Sequence, residues 1–224
     1  VRSMNAFYRV GRVNLDSVAY ISNEADLLIV AKPRERFSDK DKFKIDQYLM
    51  RGGRVMWLLD RLDVTIDSLR SNKFFVPPEL PLELDDILFT YGARILPNLV
   101  LDLECTKIPL QVGEQDGKPQ FDLFNWFYHI AAAPTADHPM VRNLDRVNLL
   151  FPSGIDTIQT KSQIDKHILL QSSQYSRLQF NPVRLNFEIL RYDPDKSKFN
   201  QGKQNLAVLY EGRFDSHYKD RVTE

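Results

Sequence analysis

One segment, residues 26–60, constrains the fold of this chain more than any other. It contains two short apolar runs, Leu27–Ala31 and Val55–Leu59, separated by a polar stretch with the length and composition of a helix. Two strands joined by such a connection predict a parallel pair with a crossover helix, which is usually right-handed. The segment therefore predicts a strand–helix–strand unit of the α/β class.

The ends of the predicted helix carry independent signals. Ser38, with Asp41 three residues later, has the spacing of a capping box. Gly52-Gly53 supplies residues that tolerate the positive φ of a helix end. The unit lacks the glycine-rich phosphate loop G-x-x-x-x-G-K-[ST], so it does not predict nucleotide binding.

The rest of the chain predicts short helices early and strands late. Apolar residues at i, i+3, i+4 and i+7 predict an amphipathic helix over Leu82–Tyr91. Asp116-Gly117 predicts a hairpin turn, whereas the aromatic-rich Asn125–His129 suggests irregular structure. We expect a single α/β domain over residues 1–224, with a mostly parallel central sheet flanked by helices and a possible β-rich insertion at 96–135.

Composition excludes several classes of partner. Thirty basic residues balance thirty acidic ones, which argues against electrostatic binding to nucleic acid or to an anionic membrane surface. The single cysteine permits no internal disulfide. No apolar run approaches the roughly 18–20 residues of a membrane span. Because the chain begins in sequence that already looks folded, we expect a soluble piece of a longer protein.

Known catalytic and metal-binding patterns are missing from the sequence. There is no G-x-S-x-G nucleophile turn, and Cys105 has neither flanking glycines nor an identifiable basic partner to favour a thiolate. The four histidines are scattered and form no paired ligand spacing. We expect no catalytic residue, no metal and no cofactor.

Polar residues that follow predicted strands are the candidate contacts with a ligand or partner. If the strands are parallel, their carboxyl ends share one edge, where open α/β sheets bind ligands. The alternative is that turns after strands are simply polar. The candidates are Lys32, Asp60, Arg61, Ser153, Ser172 and Ser173. The aromatic run that begins at Trp126 is equally compatible with a partner anchor and with a core plug under a long loop.

Eight segments of the chain, in one order, resemble the GldG family of gliding-motility-associated ABC transporter auxiliary proteins of Bacteroidetes-type bacteria. The matching segments are IVAKP (29–33), FSDKDKFKIDQYLMRGGRVMWLLD (37–60), LDDILFTYGARI (84–95), CTKIPL (105–110), HPMVRNLDRV (138–147), LLQSS (169–173), AVLYEGRF (207–214) and Ser216–Tyr218.

This resemblance implies an extracytoplasmic domain of an inner-membrane protein, carried by membrane helices that lie outside this sequence. It implies a role beside a permease and a separate ATPase in gliding and the associated protein secretion. The same domain type recurs in an intraflagellar transport subunit, and the implied fold is glutamine-amidotransferase-like or flavodoxin-like. The G-x-C-x-G turn of those enzymes is missing here, so no catalytic residue carries over.

Three functions follow from these patterns. The first is a non-enzymatic accessory domain that binds the proteins of an ABC-transporter-like complex, with no nucleic-acid partner. The second is a solute- or glycan-binding domain that uses the carboxyl edge of the sheet. The third is a cryptic hydrolase, which would require an exposed Cys105 within hydrogen-bond reach of a histidine.

Overall fold

The N-terminal part of the fold is the strand–helix–strand unit that the sequence predicts. The computed structural model describes residues 3–70, 73–135, 138–190 and 192–220. Strand β1 (Leu28–Ala31), helix α1 (Asp39–Met50) and strand β2 (Val55–Leu58) follow in order, and β1 and β2 pair in parallel. The predicted crossover unit is confirmed.

Both predicted ends of α1 are confirmed. The Ser38 hydroxyl accepts a hydrogen bond from the Asp41 N–H at 3.2 Å, and the Asp41 carboxylate accepts one from the Ser38 N–H at 3.2 Å. Gly52 has φ +88°, which glycine adopts without steric cost. A Cβ on Gly53 would lie 2.5 Å from the Tyr48 ring, so the second glycine provides space for that ring.

Two short helices and one small antiparallel pair follow the first unit. The helices are α2 (Ile66–Arg70) and α3 (Asp85–Thr90), and Gly92 ends α3 with φ +92°. Strand β3 (Ala93–Ile95) pairs with β8 (Ile155–Thr157). Short 3₁₀ helices cover Met4–Ala6, Leu15–Ser17, Phe187–Leu190 and Lys196–Lys198.

The C-terminal part of the fold is antiparallel. Strand β4 (Asn98–Asp102) pairs with β10 (Ser176–Phe180). The largest sheet contains β5 (Cys105–Gln115), β6 (Lys118–Pro134), β7 (Val147–Leu150), β9 (Ile164–Gln171) and β11 (Asn205–Gly212). Its strand order is β11–β9–β6–β5, and β7 also pairs with β6.

The prediction of an α/β fold with a mostly parallel central sheet, glutamine-amidotransferase-like or flavodoxin-like, is wrong. In the part of the chain that the structure describes, strands account for 36% of residues and helices for 17%, and the sheets other than β1–β2 are antiparallel with a curled half-barrel. Among the described residues, β1–β2 is the parallel pair. The strand–helix–strand unit was predicted correctly, but the later strands do not continue its parallel pairing. They pair antiparallel with one another.

The prediction of irregular structure for Asn125–His129 is also wrong, because these residues lie inside the 17-residue strand β6. Aromatic side chains fit a pleated, half-buried surface and therefore favour strands. Trp126 has no solvent exposure, and its ring centroid lies 5.2 Å from that of Tyr128. Of the two roles predicted for Trp126, the structure shows the core position rather than an exposed anchor.

Strands β5 and β6 form a hairpin whose far end lies in solvent. The predicted turn is confirmed, because Asp116 and Gly117 have φ +52° and +73°, as a two-residue type I′ turn requires. The register shifts between Gln111 and Gly113, which marks a β-bulge. Phe121 and Leu123 are 57% and 65% exposed on this hairpin.

The buried carboxylate of Asp46 joins the first unit to the C-terminal segment. Asp46 is fully buried on α1. It accepts hydrogen bonds from the Tyr91 hydroxyl at 2.6 Å, the Ser216 hydroxyl at 2.7 Å and the His217 N–H at 2.8 Å. The donors lie after α3 and beyond β11, so one carboxylate holds three parts of the fold together.

A second polar contact reinforces this junction. The ammonium of Lys42 on α1, 4% exposed, lies 2.7 Å from the carboxylate of Asp86 on α3. Burial opposes the charged form of Lys42, but Asp86 and Asp39 outweigh it, so its pKa is raised. The His217 ring lies 2.8 Å from the Thr90 hydroxyl and 3.4 Å from Asp86.

We expect Asp46→Ala to lower the free energy of unfolding by about 3 kcal/mol, because the buried Tyr91 and His217 donors and the half-buried Ser216 hydroxyl lose their acceptor. Urea unfolding followed by circular dichroism measures this change. Asp122→Ala, on the exposed part of the hairpin, is the matched control and should change stability by less than about 0.5 kcal/mol. Equal unfolding midpoints for the two variants would contradict the proposed role of Asp46.

We also expect stability to fall as the pH drops from about 6.5 to about 4. Burial lowers the pKa of His129 to about 4, so the unfolded chain takes up a proton in this range before the folded chain does. The loss attributable to His129 is at most about 3 kcal/mol. Unfolding measured at several pH values should show a shallower pH dependence for His129→Gln than for the wild type. The exposed His167 provides the control, His167→Gln, and an identical pH dependence in all three proteins would refute the assignment.

Candidate functional site

Three of the residues predicted from sequence meet at the carboxyl ends of β1 and β2. Lys32 follows β1 with φ +48°, a conformation uncommon for a residue other than glycine. Its N–H donates to the Leu58 carbonyl at 2.8 Å, which extends the parallel pairing by one residue. Its ammonium lies 3.2 Å from the Asp60 carboxylate, beside Arg61.

Backbone hydrogen bonds fix the segment that carries Asp60 and Arg61. The Leu80 N–H donates to the Arg61 carbonyl at 3.0 Å, and the Asp63 N–H donates to the Pro78 carbonyl at 2.9 Å. These bonds hold the segment after β2 against the segment before α3. The charged side chains therefore project from backbone that is held at both sides.

Arg61 is the most strongly bonded cation at this edge. One terminal nitrogen lies 2.8 Å from both carboxylate oxygens of Asp85, and the other lies 3.2 Å from Glu79. Only 24% of its side chain is exposed. Asp85 opens α3, where the helix dipole favours a negative charge.

The loop after β1 adds two further ion pairs. Arg34 pairs with Asp63, and Arg36 lies 2.8 Å from Glu83, which has φ +54°. We call the whole group the charged edge. It comprises Lys32, Arg34, Arg36, Asp60, Arg61, Asp63, Glu79, Glu83 and Asp85.

The geometry of the charged edge suits a protein contact better than a small ligand. Its four cations are each paired with a carboxylate, so little positive charge is left for an anion. The cavity beside Asp60 and Arg61 has a volume of about 20 Å³, room for about one water molecule. A sugar or peptide therefore cannot be enclosed there.

The other predicted polar residues lie elsewhere. The Ser153 hydroxyl donates to the Asn98 carbonyl at 2.7 Å. The Ser172 hydroxyl accepts from the Gln204 N–H at 2.8 Å, and Ser173 donates through both its N–H and its hydroxyl to Asp102 at 2.6 Å. Their strands are antiparallel, so the predicted common edge does not extend to these serines, whose hydroxyls bond within the fold.

Neither a reactive thiol at Cys105 nor a metal-binding cluster is found among the described residues. Burial, with the charge of Asp102 added, raises the pKa of the Cys105 thiol to about 11, which disfavours a thiolate at neutral pH. Within these residues, no hydrogen bond joins Cys105 to a histidine. No group of histidine, cysteine and acidic residues in the described ranges could hold a metal ion.

A larger cleft lies away from the charged edge. It has a volume of about 670 Å³, within the range of small-molecule sites. It lies between the start of β9 and the end of β11. Its lining is mainly polar and includes Gln159, Thr160, Ser162, Gln163, Lys166 and Arg213. The sequence carries no local signal for this cleft, because its residues come together only when β9 and β11 pair.

Six members of the charged edge were not predicted from the sequence, namely Arg34, Arg36, Asp63, Glu79, Glu83 and Asp85. A usable signal existed for the first two, since the KPRER loop that follows β1 alternates basic residues at positions 32, 34 and 36. The acidic partners lie up to 47 residues away in sequence, as in the Arg36–Glu83 pair. Nothing local marks which acid meets which base.

A model of the family described as "ABC-type uncharacterized transport system" matches residues 1–224. No curated protein matches the chain. Two chains of solved structures match. One is described as "mmIFT52 N-terminal domain", at 10% sequence identity and a TM-score of 0.47. The match covers 78% of this chain and 64% of that domain. None of the helices in the described part of the chain has the length and apolar character that a membrane crossing requires.

We expect Arg61→Gln to lower the free energy of unfolding by about 1–2 kcal/mol, because Asp85 and Glu79 lose a shared, partly buried partner. Lys32→Gln removes one exposed ion pair and should cost no more than about 0.5 kcal/mol. Urea unfolding of both variants at low salt tests the difference. Equal losses would show that Arg61 is only another surface charge.

Proposed function

This chain belongs to the ABC-type uncharacterized transport system family, and from that premise we propose that it is a non-enzymatic component that works by binding other proteins. Members of this family are auxiliary components of ABC-type transport systems. The proposed partners are the permease and a separate ATPase subunit of such a system. The lack of a phosphate loop in the sequence agrees with ATP hydrolysis on another chain.

We further propose that the system serves gliding motility and the associated protein secretion in Bacteroidetes-type bacteria. In this proposal the domain lies outside the cytoplasmic membrane, and helices beyond this sequence anchor it. The support is the order and extent of the segments that resemble the GldG family, above all residues 37–60. The matching segments do not include the G-x-C-x-G nucleophile turn of the related enzymes.

The observation that carries the protein-binding proposal is the charged edge. Its side chains form ion pairs with one another, and hydrogen bonds hold the backbone that carries them. The charges are therefore positioned before a partner binds. Such charges contribute to partner choice and association rate more than to affinity. The adjoining cavity is too small for a solute, so the edge fits a polar part of a protein interface.

Co-purification of the full-length protein from its native membranes tests this proposal. We expect the wild type to recover both the permease and the ATPase. The double variant Lys32→Glu/Arg36→Glu should recover about tenfold less of both, because reversed charges oppose a complementary partner. Lys107→Glu/Lys118→Glu, on the exposed hairpin, is the matched control and should behave like the wild type.

Two outcomes would count against the proposal in different ways. Recovery of neither subunit with the wild type would overturn the transport-system role. Normal recovery with the charge-reversed variant would remove the charged edge from the interface while leaving that role intact. Thermal melting of each variant shows whether a lost interaction reflects lost folding instead.

The second candidate function is capture of a solute or glycan. The 670 Å³ cleft favours it, because amide and hydroxyl side chains that line a cleft can bond a polyhydroxylated ligand. The carboxyl edge of β1–β2, where the sequence placed this function, lacks a comparable cavity. A thermal-shift screen with sugars and peptides tests this candidate. A raised melting temperature that Gln163→Ala abolishes would support it, and a flat screen would count against it.

A further inference from the structure

The outward face of the β1–β2 pair is apolar, and its side chains are partly exposed. Along both strands exposed residues alternate with half-buried ones. The exposed residues Leu27, Ile29, Met56 and Leu58 retain 45%, 36%, 44% and 44% of their surface. With Ala31 they form what we call the outer face. Ile29 pairs with Met56 and Ala31 with Leu58, so these residues form a continuous stripe across two strands.

Such exposure is unusual for parallel strands, which normally bury both faces under helices. The opposite face follows this rule. Leu28, Val55 and Trp57 pack with Ile45 and Tyr48 of α1. On the outer face no described element performs the equivalent role, although its positions within the two strands, Ile29, Ala31, Met56 and Leu58, are all apolar. The apolar residues on both faces of β1 and β2 are typical of a parallel pair that is covered on both sides. In this structure α1 covers one of the two faces.

The dimensions of the outer face favour a helix as its missing cover. Two strands lie about 4.8 Å apart, and a helix with its side chains is about 10–12 Å wide. One amphipathic helix, with an apolar stripe at i, i+3, i+4 and i+7, therefore suffices to cover the face. An added strand would bond to the backbone at one edge of the pair and leave the outer face exposed.

A second copy of this chain is a poorer occupant. Stable interfaces bury about 800 Å² on each partner, and four partly exposed side chains with one alanine cover much less. A face with such a small contact area can form one part of a larger interface with a different protein. The chemistry required of the occupant is an apolar helical stripe bordered by polar residues.

The outer face is continuous with the charged edge. Lys32 directly follows Ala31, and Asp60 lies two residues after Leu58. Together they give an apolar centre bordered by ordered charges, which is the usual arrangement of a protein interface. The same surface therefore supplies an anchor for a helix and a polar border that can select it.

We propose that the outer face binds an amphipathic α-helix of a protein partner in the transport system. This inference rests on the proposed function, and it identifies the kind of element that the partner contributes. The helix takes the position that a second helical layer occupies in a covered parallel sheet. Its apolar stripe contacts Ile29, Met56 and Leu58, and its polar border lies toward Lys32.

Site-specific photocrosslinking tests the inference with the full-length protein and the co-expressed permease–ATPase complex. A benzoyl-phenylalanine replaces Met56 in one sample and Leu123 in the other. Both positions are exposed strand residues, but Leu123 lies on the hairpin away from the outer face. We expect crosslinks from position 56 to one amphipathic helical segment of the permease, identified by mass spectrometry, and none to that segment from position 123.

A binding measurement supports the crosslinking result. Leu58→Glu should lower recovery of the complex by about tenfold, whereas Leu123→Glu should change it by less than about twofold. Unchanged thermal melting of both variants confirms that they are folded. Crosslinks to a second copy of this chain, to lipid, or to an extended segment would overturn the inference, as would unaffected recovery with Leu58→Glu.

The two proposals fail in distinguishable ways. If the complex forms but position 56 gives no crosslink to a helical segment, the inference is wrong and the accessory role stands. If the wild-type protein recovers neither permease nor ATPase, the accessory role fails, and the inference that depends on it fails with it.

Discussion

The junction at Asp46 is the interaction on which the two halves of this fold depend. A single buried carboxylate on α1 bonds to donors after α3 and beyond β11. Burying a carboxylate is costly unless hydrogen bonds compensate it. Here the compensation comes from residues up to 171 positions away. The hydrogen bonds to this one carboxylate therefore connect the parallel unit to the segment that follows the antiparallel sheet. Phe214 also packs on Tyr91, one of the donors to Asp46, with their ring centroids 5.6 Å apart, and adds an apolar contact at this junction.

The position of α1 has consequences for the surface on the other side of β1 and β2. Because α1 packs on the inner side chains of both strands, it holds the parallel pair in place and leaves the outer face exposed. The charged edge follows directly at the ends of the same strands. Its ion pairs connect the loop after β1 to segments after β2 and before α3. The same strand–helix–strand unit therefore contributes to both stability and candidate function. Its helix α1 carries Asp46, and its strands β1 and β2 carry the outer face and lead into the charged edge.

An accessory role agrees with this distribution of polar groups. Enzymes place titratable groups with shifted pKa values in clefts. In this protein the shifted groups of His129, Cys105 and Lys42 lie in packed surroundings and not in either cavity. The exposed groups are instead the ion pairs of the charged edge, beside the apolar outer face. Membership of a transport-associated family gives these features a context in which protein partners are expected.

The sequence by itself determined the elements whose signals are local. The capping residues of α1 and the Asp116-Gly117 turn were predicted correctly, because each depends on conformational preferences within a few residues. The same local unit brought Lys32, Asp60 and Arg61 together as predicted. Only the tertiary structure decided which strands pair, that Asn125–His129 lies within a strand, and that Ser173 bonds to Asp102 rather than joining the charged edge. Strand pairing and long-range ion pairs depend on contacts between residues far apart in sequence. No local pattern specifies such contacts, so the sequence identified the first unit and the tertiary structure decided what that unit is joined to.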